Sequence, residues 1–467
     1  MARSAPKGRP NVVLILADDM GYGDFGCFNA GASHTPVLDQ LVGDGVCLTQ
    51  HYSASPVCAP ARASLLTGRY PHRTGAIDTL EHRGLDRIAL RERTMGDLLK
   101  QAGYVTGLVG KWHNGALDDR FHPNARGFDE FTGFCGGWSS YWDWHLDRNG
   151  SVSAADGRYL TDVFTAEAIE FVRRHRHEPF FLHLAYNAPH YPFEAPTDDV
   201  EPFADTGRFT KAVSSLYGML RVMDRGIGAV LDELDALGLA DDTVVMFSSD
   251  NGPQFSGDGD YSTTRFNCGF RGAKGLVYEG GVRLPMVVRW PNGLSGQAGT
   301  QLDDLVHFTD WLPTLLAIAG AQPPDDVALD GIDVLPLLQG APATVPDTRF
   351  WQWNRYTPAP EGNAAMRDGK WKLVRPAIAE AMAVAPMDLA LDIDLKVNPG
   401  NRTEILTDPE PTRTLPDPPP AQLFDIEADP AEEHDLAATE PGRVSRMEDA
   451  LTAWFEDVER DRRSIRD

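Results

Sequence analysis

The segment Asn11–Asp19, NVVLILADD, decides the fold predicted for this chain. Its short, nearly continuous apolar run is typical of a strand covered on both faces of a sheet. The same pattern recurs in YVTGLVG (104–110), PFFLHLAY (179–186), DTVVMFSS (242–249) and PMVVRW (285–290). These runs predict a sheet whose strands are mostly buried.

Helical patterns lie between the predicted strands. They are TPVLDQLVGDG (35–45), TMGDLLKQAG (94–103), TDVFTAEAIEFVRRH (161–175), KAVSSLYGMLRVMDRGIGAVLDELDALG (211–238) and FTDWLPTLLAIAG (308–320). Strands that alternate with helices in this way predict a doubly wound α/β sheet with helices on both faces.

The pattern changes after about Arg349. RFWQWNRY (349–356) and MRDGKWKLV (366–374) alternate polar and apolar residues, as antiparallel strands with one exposed face do. Asp368-Gly369 predicts a hairpin turn. A further strand is predicted in QLFDIEADPAEEHDL (422–436), and an amphipathic helix in MEDALTAWFEDVERD (447–461).

This change predicts two domains. The first covers residues 1–345, and the second is a small α+β domain with an antiparallel sheet over residues 346–467. The stretch near 376–420 is rich in proline and aspartate, which predicts a long loop insertion in the second domain.

The composition excludes several classes of partner. The chain has 467 residues and a formal net charge of −25, which argues against nucleic acid and against an anionic membrane surface. No apolar run approaches the ~20 residues that a membrane span needs. The run Val12–Ala17 is too short for a secretory signal, so we expect a cytoplasmic protein. The 5 cysteines, an odd and sparse set, predict reduced thiols.

Polar residues follow several predicted strands where those strands end. Ligands of open α/β sheets bind beyond the carboxyl ends of the strands, because the loops converge there. The residues at these ends are Asp18-Asp19, Lys111-Trp112-His113, Asn187, His190 and Asp250-Asn251. We therefore expect the functional site at this edge of the sheet.

Asp18, Asp19, Asp250 and Asn251 would supply three carboxylates and an amide oxygen. Oxygen ligands of this kind suit hard divalent cations, Ca²⁺ first and Mg²⁺ or Mn²⁺ next. The alternative is that these aspartates cap the following helices. Two pairs at two strand ends favour the metal.

Basic residues form a second group. A glycine-rich stretch, RGAKGLVYEGGVRLP (271–285), contributes Arg271 and Lys274. Together with Arg62, Lys111, His113 and His190, Lys274 would form a cationic cage for an oxyanion in an otherwise acidic protein.

The stretch SPVCAPARASLLTGRYPHRTG (55–75) begins a predicted helix at Cys58, with Pro60 and Arg62 close behind. A helix start beside a guanidinium lowers the pKa of a thiol or stabilises an anion, so this cysteine suggests chemistry.

An aromatic loop raises the question of the substrate. In FCGGWSSYWDWHLDRNG (134–150), Trp138, Tyr141 and Trp142 follow a double glycine. Such rings at a pocket rim would bind an aryl or sugar ring. The alternative, that they anchor the loop to the core, stays open.

Taken together, the motifs resemble the sulfatase family of the alkaline phosphatase superfamily. They are NVVLILADDMGYGDFGCFNAG (11–31), CAPARASLLTGRYPHRTG (58–75), GKWHNG (110–115), APHYPF (188–193), SSDNGP (248–253) and RGAKGLVYEGGVRLP (271–285), in the order that the family uses. The resemblance implies a large mixed, mostly parallel sheet sandwiched by helices, and it makes residues 1–345 the catalytic domain.

The resemblance implies that a formylglycine-generating enzyme oxidises Cys58 to formylglycine, reading Pro60 and Arg62. The hydrated aldehyde then contacts the cation, so Cys58 joins Asp18, Asp19, Asp250 and Asn251 in the metal site, and Ca²⁺ is the expected ion. One hydroxyl of the hydrate attacks sulfur. The other roles implied are that Lys274 and His190 bind the sulfate and assist the leaving oxygen, that His113 is the base, and that Lys111 and Arg62 neutralise charge.

The implied function is hydrolysis of sulfate monoesters, either aryl or carbohydrate sulfates. A phosphonate monoester or phosphodiester hydrolase with the same nucleophile is the nearest alternative. A non-catalytic binding protein that keeps Cys58 as a thiol is another. The sequence leaves the physiological substrate and the oligomeric state open.

Overall fold

The computed structural model describes residues 8–204, 206–398 and 400–467. Residues 1–7 of the predicted catalytic domain lie outside the described part, as do positions 205 and 399. The strands are β1 (Asn11–Ala17), β2 (Val46–Leu48), β3 (His51–Tyr52), β4 (Val105–Lys111), β5 (Glu130–Phe134), β6 (His145–Arg148), β7 (Ser151–Ala154), β8 (Phe180–Ala185), β9 (Thr243–Ser249), β10 (Met286–Arg289), β11 (Gln301–Leu302), β12 (Val306–His307), β13 (Thr348–Gln352), β14 (Ala364–Asp368), β15 (Trp371–Arg375) and β16 (Gln422–Asp425).

The α-helices include one in each segment where the sequence predicts a helix. They are α1 (Pro36–Asp44), α2 (Cys58–Thr67), α3 (Pro71–Thr74), α4 (Met95–Gln101), α5 (Leu160–His175), α6 (Thr197–Val200), α7 (Lys211–Ala236), α8 (Glu279–Val282), α9 (Trp311–Ala319), α10 (Leu335–Leu338), α11 (Ala379–Met382), α12 (Pro386–Val397) and α13 (Pro441–Arg462). Among the described residues, none of these helices combines the length and the apolar character that crossing a bilayer requires.

We refer to the predicted segments 1–345 and 346–467 as the larger and the smaller domain, and this boundary stays a prediction. A 10-stranded sheet forms the centre of the larger domain, in the order β11-β2-β10-β9-β1-β8-β4-β5-β6-β7. Strands β9, β1, β8, β4 and β5 run parallel, whereas β10 is antiparallel to both β9 and β2. All of the apolar runs that predicted strands lie in this sheet. The predicted large, mixed and mostly parallel sheet is therefore confirmed.

Successive side chains of β1 point into two apolar cores on opposite faces of the sheet, as the pleat of a strand requires. One core, with residues of α5 and α7, contains Val13, Ile15 and Ala17. The other, with residues of α2, α4 and α9, contains Val12, Leu14 and Leu16. Full burial of one such aliphatic side chain contributes about 1.5–3 kcal/mol. The helices on both faces thus fix β1, and with it the residues at its carboxyl end.

The antiparallel sheet of the smaller domain has the order β13-β14-β15-β16. The predicted turn joins β14 to β15, and Gly369 there has a φ of 56°, in the left-handed region that favours glycine. The apolar side of α13 packs on this sheet and on Tyr70 of the larger domain. A buried ion pair also links β15 to the larger domain, since Lys372 Nζ lies 2.8 Å from Glu279 Oε1. The same Nζ lies 3.1 Å from Glu432 Oε1 of the smaller domain.

The segment 376–420 differs from the loop insertion that its composition predicts, because it contains α11 and α12. Pro386 is at the start of α12, where its missing N–H leaves no hydrogen bond unmade. Two aspartates of α12 form hydrogen bonds with neighbouring side chains. Asp388 accepts a hydrogen bond from Tyr356, and Asp392 accepts one from Lys396. A count of prolines and aspartates cannot detect such pairing.

Candidate active site

Two acidic pairs meet at the carboxyl ends of β1 and β9. These strands are parallel neighbours with Ala17 opposite Ser249, so the residues that follow each strand lie side by side. Asp19 has a φ of 63°, which turns the chain directly after β1. Its amide donates to Asp250 Oδ1 over 3.2 Å, and Asn251 Nδ2 donates to Asp19 Oδ1 over 2.7 Å.

These four residues have the properties of a cation site. All are buried, and within the described part of the chain Asp18 Oδ1 and Asn251 Oδ1 have no hydrogen-bond partner. Ligand atoms of Asp18, Asp19, Cys58 and His190 lie within 4.8 Å of one another. Buried oxygens without donors fit a hard divalent cation, and the acidic side chains contact each other and basic groups instead of capping helices.

Basic side chains surround this acidic group. Lys111 Nζ lies 2.6 Å from Asp18 Oδ2, and Lys274 Nζ lies 2.8 Å from Asp19 Oδ2. Burial raises the pKa of Asp18 to about 7, against the opposing effect of Lys111. Burial also acts to raise the pKa of Asp19, but Lys274 and His190 outweigh it and hold that pKa below its usual range. Asp19 therefore stays ionised beside Lys274, whereas Asp18 without a bound cation gains a proton close to neutral pH.

Cys58 is the first residue of α2, as the sequence predicts, and it is buried beside these charges. Burial raises the pKa of its thiol to about 11, although Lys111 and Lys274 act to lower it. The expectation that the helix start lowers this pKa is therefore wrong for the encoded thiol, because desolvation is the larger effect. The encoded thiol is therefore mostly protonated at neutral pH when no cation is bound.

Of the two histidines of the predicted cage, His113 is buried and His190 is partly buried. Burial, helped by Lys111, holds the pKa of His113 well below its ordinary value. Burial, helped by Lys274, does the same for His190, whose Nε2 lies 3.6 Å from Asp19 Oδ2. A neutral imidazole can accept a proton, so His113 has the charge state that a general base needs.

A cavity of 490 Å³ opens onto these groups. Among its lining residues are four of the predicted catalytic residues, Cys58, His113, His190 and Lys274, and one predicted substrate-binding residue, Trp138. Aromatic rings contribute as well, namely Trp138, Tyr191, Phe255 and Trp353. The smaller domain adds the charged residues Arg355, Asp392 and Lys396. By contrast, Arg271 does not line the cavity and lies over the ring of Tyr278.

The aromatic loop is divided between two roles. Trp138 lines the cavity and packs edge-on against Tyr191, with ring centroids 5.7 Å apart. Tyr141, predicted to bind substrate, is fully buried, and its hydroxyl donates to the carbonyls of Asn187 and His190. Trp142, also predicted to bind substrate, packs against Tyr159 outside the cavity. Tyr141 therefore supports the loop of His190, and the substrate prediction is left with Trp138.

Sequence reasoning missed the residues that the smaller domain and distant loops bring to the cavity. Glu81 and Lys396 lie beside His113, and Arg355 donates to Asp78 and Thr79. None of these residues follows a predicted strand of the large sheet. A search for polar residues at the carboxyl ends of strands therefore could not identify them. The inward-facing Lys396 becomes visible only once α12 is recognised as a helix.

Comparison with known families agrees with this geometry. The family model described as Sulfatase matches residues 10–321. The chain belongs to the sulfatase family. The model described as N-sulphoglucosamine sulphohydrolase, C-terminal, matches residues 270–415, a range that includes Arg355, Asp392 and Lys396.

Relatives among curated proteins and solved structures include several sulfatases. N-acetylgalactosamine-6-sulfatase of Homo sapiens is 37% identical over 377 residues, covering 73% of this chain and 68% of that protein. Steryl-sulfatase of Mus musculus is 32% identical and covers 97% of this chain and 82% of that protein. The crystal structure of Ps i-CgsB in complex with k-i-k-neocarrahexaose has a TM-score of 0.79 at 30% identity, covering 96% of this chain and 92% of that chain.

The fold extends to a phosphonate monoester hydrolase of Agrobacterium radiobacter. Its structure has a TM-score of 0.63 at 20% identity and covers 96% of each chain. Similarity at this level concerns the fold alone. The chain is thus a sulfatase by family and shares its architecture with an enzyme that acts on another oxyanion ester.

Proposed function

We propose that this protein is a metal-dependent hydrolase of carbohydrate sulfate monoesters, with its nucleophile formed from Cys58. The observation that carries the proposal is the position of Cys58 at the start of α2, lining the same cavity as Lys274, His113 and His190. Burial raises the pKa of the encoded thiol, which makes the thiol itself a weak candidate for the nucleophile. In the proposal a host enzyme, with an external oxidant, converts Cys58 to formylglycine. Water then adds to the aldehyde, and one hydroxyl of this hydrate attacks sulfur.

The chain's own residues would divide the remaining work. Lys274 and His190 bind the sulfate oxygens and assist departure of the alcohol oxygen. His113, held neutral by its surroundings, takes a proton from residue 58 so that sulfate can leave. Lys111 and Arg62 balance the negative charge of the acidic pairs, and Arg62 also fixes α2 through its bond to Asp250.

Asp18, Asp19, Asp250 and Asn251 would hold the divalent cation, with residue 58 next to it. When bound, a cation neutralises sulfate charge and makes a nearby hydroxyl more acidic. The oxygen ligands favour Ca²⁺, with Mg²⁺ and Mn²⁺ as alternatives. The buried oxygens Asp18 Oδ1 and Asn251 Oδ1, which have no hydrogen-bond partner among the described residues, support this assignment.

A sugar ring is the substrate group that the cavity favours. Trp138 and Trp353 line the cavity with aromatic rings, and Arg355 lies over the ring of Trp353. Gln254 adds a polar group of the kind that binds hydroxyls. The names of the relatives give independent support, since they include an N-acetylgalactosamine-6-sulfatase and a structure bound to a neocarrahexaose. The 5 cysteines are all free, as is typical of proteins in a reducing compartment. They support a cytoplasmic location for the enzyme, which fractionation of the producing cells would test.

The decisive experiment follows inorganic sulfate. Wild-type protein co-produced with a formylglycine-generating enzyme is checked by mass spectrometry for the aldehyde in the peptide of Cys58. It is then incubated with matched sugar sulfates, aryl sulfates and aryl phosphonates in Ca²⁺. We expect sulfate release, highest kcat/KM on a sugar sulfate, and loss of both aldehyde and activity in C58A.

The matched control is C27A, because Cys27 is an exposed cysteine outside the cavity. It should keep full activity. A clear preference for the phosphonate would transfer the assignment to a phosphonate monoester hydrolase. Full conversion of Cys58 with no hydrolysis of any ester would favour a binding protein.

A further inference from the structure

His113 shares its buried surroundings with one carboxylate. Its Nε2 lies 3.4 Å from Oε1 of Glu81, and both side chains are almost inaccessible to solvent. Glu81 comes from the short 3-10 helix Glu81–Arg83, and its Oε1 also accepts a hydrogen bond from the Gly137 amide over 2.5 Å. The second oxygen, Oε2, has no hydrogen-bond partner among the described residues.

The packing around this pair leaves little freedom. A Cβ on residue 137 would lie 2.7 Å from His113 Cε1 and 2.9 Å from Glu81 Oε1. Both distances are shorter than the non-bonded contacts that Cβ atoms make, so only glycine fits between the two side chains. His113 itself has a φ of 54°, so its backbone is held in an uncommon conformation. The backbone at Gly137 therefore confines the imidazole and the carboxylate to this contact. Neither ring nitrogen of His113 has a hydrogen-bond partner among the described residues, so Nε2 is available to donate to Glu81 when the ring is protonated.

A cation from the smaller domain completes the group. Lys396, near the end of α12, is buried, and its Nζ lies 3.2 Å from Glu81 Oε1 and 2.6 Å from Asp392 Oδ1. Burial raises the pKa of Glu81 to about 7, and Lys396 opposes that rise. Burial acts to lower the pKa of Lys396, but Glu81 and Asp392 outweigh it and keep that pKa above its usual value.

The charged groups around His113 come from several elements. Lys111 from β4, Arg62 from α2 and Lys396 from α12 disfavour its imidazolium form, whereas the carbonyl of Thr79 favours it. Around Glu81, Asp392 and Asp86 oppose ionisation and Lys396 favours it. The imidazole of His113 thus contacts the carboxylate of Glu81, whereas the other charged groups near it are cations.

We propose that Glu81 is a positioning residue for His113, and that Lys396 of the smaller domain maintains Glu81 as a carboxylate. The proposal rests on the proposed function, in which His113 takes a proton. Glu81 fixes the ring and stabilises the imidazolium formed at that step, as a buried carboxylate does for other catalytic histidines. The smaller domain therefore takes part in the chemistry through α12.

The test compares E81Q, K396M, K396R and the double variant E81Q/K396M on a sulfate ester. Glutamine keeps the size of Glu81 and the bond to Gly137 but removes the charge. We expect kcat to fall at least about 10-fold in E81Q, the lower end of the loss when a carboxylate behind a metal-ligating histidine is removed, and by up to about 10⁴-fold if Glu81 acts as the carboxylate of a catalytic triad does. KM should be almost unchanged.

The pH profile separates electrostatic positioning from a structural role. Loss of the negative charge disfavours the imidazolium of His113, so the acidic limb of kcat should move to lower pH in E81Q. In K396M, Glu81 is protonated at neutral pH, so activity should be low there and recover as pH rises. K396R should restore kcat, and the double variant should lose no more than E81Q, because the pair acts as a unit.

The matched control is K370M, since Lys370 pairs with Asp425 in the same domain away from the cavity. It should leave kcat unchanged. Unchanged kcat and pH profile in E81Q would overturn the proposal. So would a rise in KM alone in K396M, since Lys396 would then bind the substrate. If E81Q fails to fold, E81D tests the same point, with a smaller loss of kcat expected because the carboxylate is drawn back.

A readout without turnover makes the two proposals separable. Protein labelled with ¹⁵N in its histidine rings is compared with E81Q at one pH, with His113 assigned from H113Q. The His113 ring shifts should differ between wild type and E81Q, because a full charge beside Nε2 is lost. Coincident shifts would overturn the role of Glu81 even in an active enzyme. If the enzyme releases no sulfate but the His113 signals still differ between wild type and E81Q, the proposed function is refuted and the role of Glu81 is not.

Discussion

Arg62 and Asp250 form a buried ion pair, in which both Nε and Nη2 of the guanidinium lie 2.8 Å from Oδ2 of the carboxylate. The pair ties α2, which begins at Cys58, to the end of β9. Arg62 Nη2 also lies 3.8 Å from Asp18 Oδ1, so one guanidinium serves both acidic strand ends. Through these contacts Arg62 holds the start of α2, and therefore residue 58, close to the acidic pairs.

Replacing Arg62 by methionine should therefore be severe. The variant leaves two buried carboxylates without their shared cation, and such a loss costs about 3–5 kcal/mol of unfolding free energy. Urea unfolding of R62M measures the cost. R73M is a suitable control, because Arg73 pairs with Asp330 and Asp457 at a more exposed position and should cost clearly less. Equal losses in the two variants would contradict the role assigned to Arg62.

Removal of the cation should lower stability as well as activity. Without a cation, Asp18, Asp19 and Asp250 repel one another in a buried site, and ligand binding to the folded state alone raises Tm by mass action. We expect EDTA to lower Tm and added Ca²⁺ to restore it, with the gain rising as the logarithm of the Ca²⁺ concentration once the site is saturated. In N251A the dependence of Tm on Ca²⁺ should weaken, whereas D429A, at a partly exposed acidic cluster, should behave as wild type.

Trp138 and Trp142 allow a matched test of substrate binding. Both are tryptophans of one loop, but only Trp138 lines the cavity. Truncation of a stacking ring should raise KM for a sugar sulfate about tenfold, equivalent to roughly 1.4 kcal/mol, in W138A. W142A should keep its KM. Similar KM values in both variants would place the sugar elsewhere in the cavity.

Much of the fold and the centre of the site could be predicted because they depend on local pattern. A buried parallel strand has a continuous apolar run, so β1, β4, β8 and β9 were visible in the sequence. Because β9 and β1 are parallel neighbours, the residues that follow them, Asp18 and Asp250, lie close together. The resemblance to sulfatases added the chemistry of Cys58, which pattern alone could not supply.

The parts that could not be predicted depend on long-range contacts or on burial. Glu81 and Lys396 are far apart in the chain and meet only through the docking of α12. The hydroxyl of Tyr141 points to two carbonyls, a direction that no spacing of aromatic residues encodes. The pKa of Cys58 depends on how completely it is desolvated, and the sequence around a helix start does not reveal that.

His183 provides a pH-dependent test of the sheet itself. Burial lowers its pKa to about 4, while its Nδ1 donates to the carbonyl of Leu14. Below its ordinary pKa of 6.5 the unfolded chain takes up a proton that the folded protein does not, so stability falls as pH falls toward 4. This group should account for a loss of about 2 kcal/mol between pH 6.5 and 5.

Other groups titrate in the same window, so the prediction concerns a difference between variants. Burial lowers the pKa of His72 to about 4, which acts in the same direction, and raises that of Glu432 to about 7, which acts in the opposite one. In H183N, which keeps a donor toward Leu14, the loss of unfolding free energy over this window should be smaller by about 2 kcal/mol. H434N, at an exposed histidine, should retain the wild-type slope. Parallel slopes for wild type and H183N in urea unfolding would mean that His183 is protonated in the folded sheet, and that its burial does not exclude the charge.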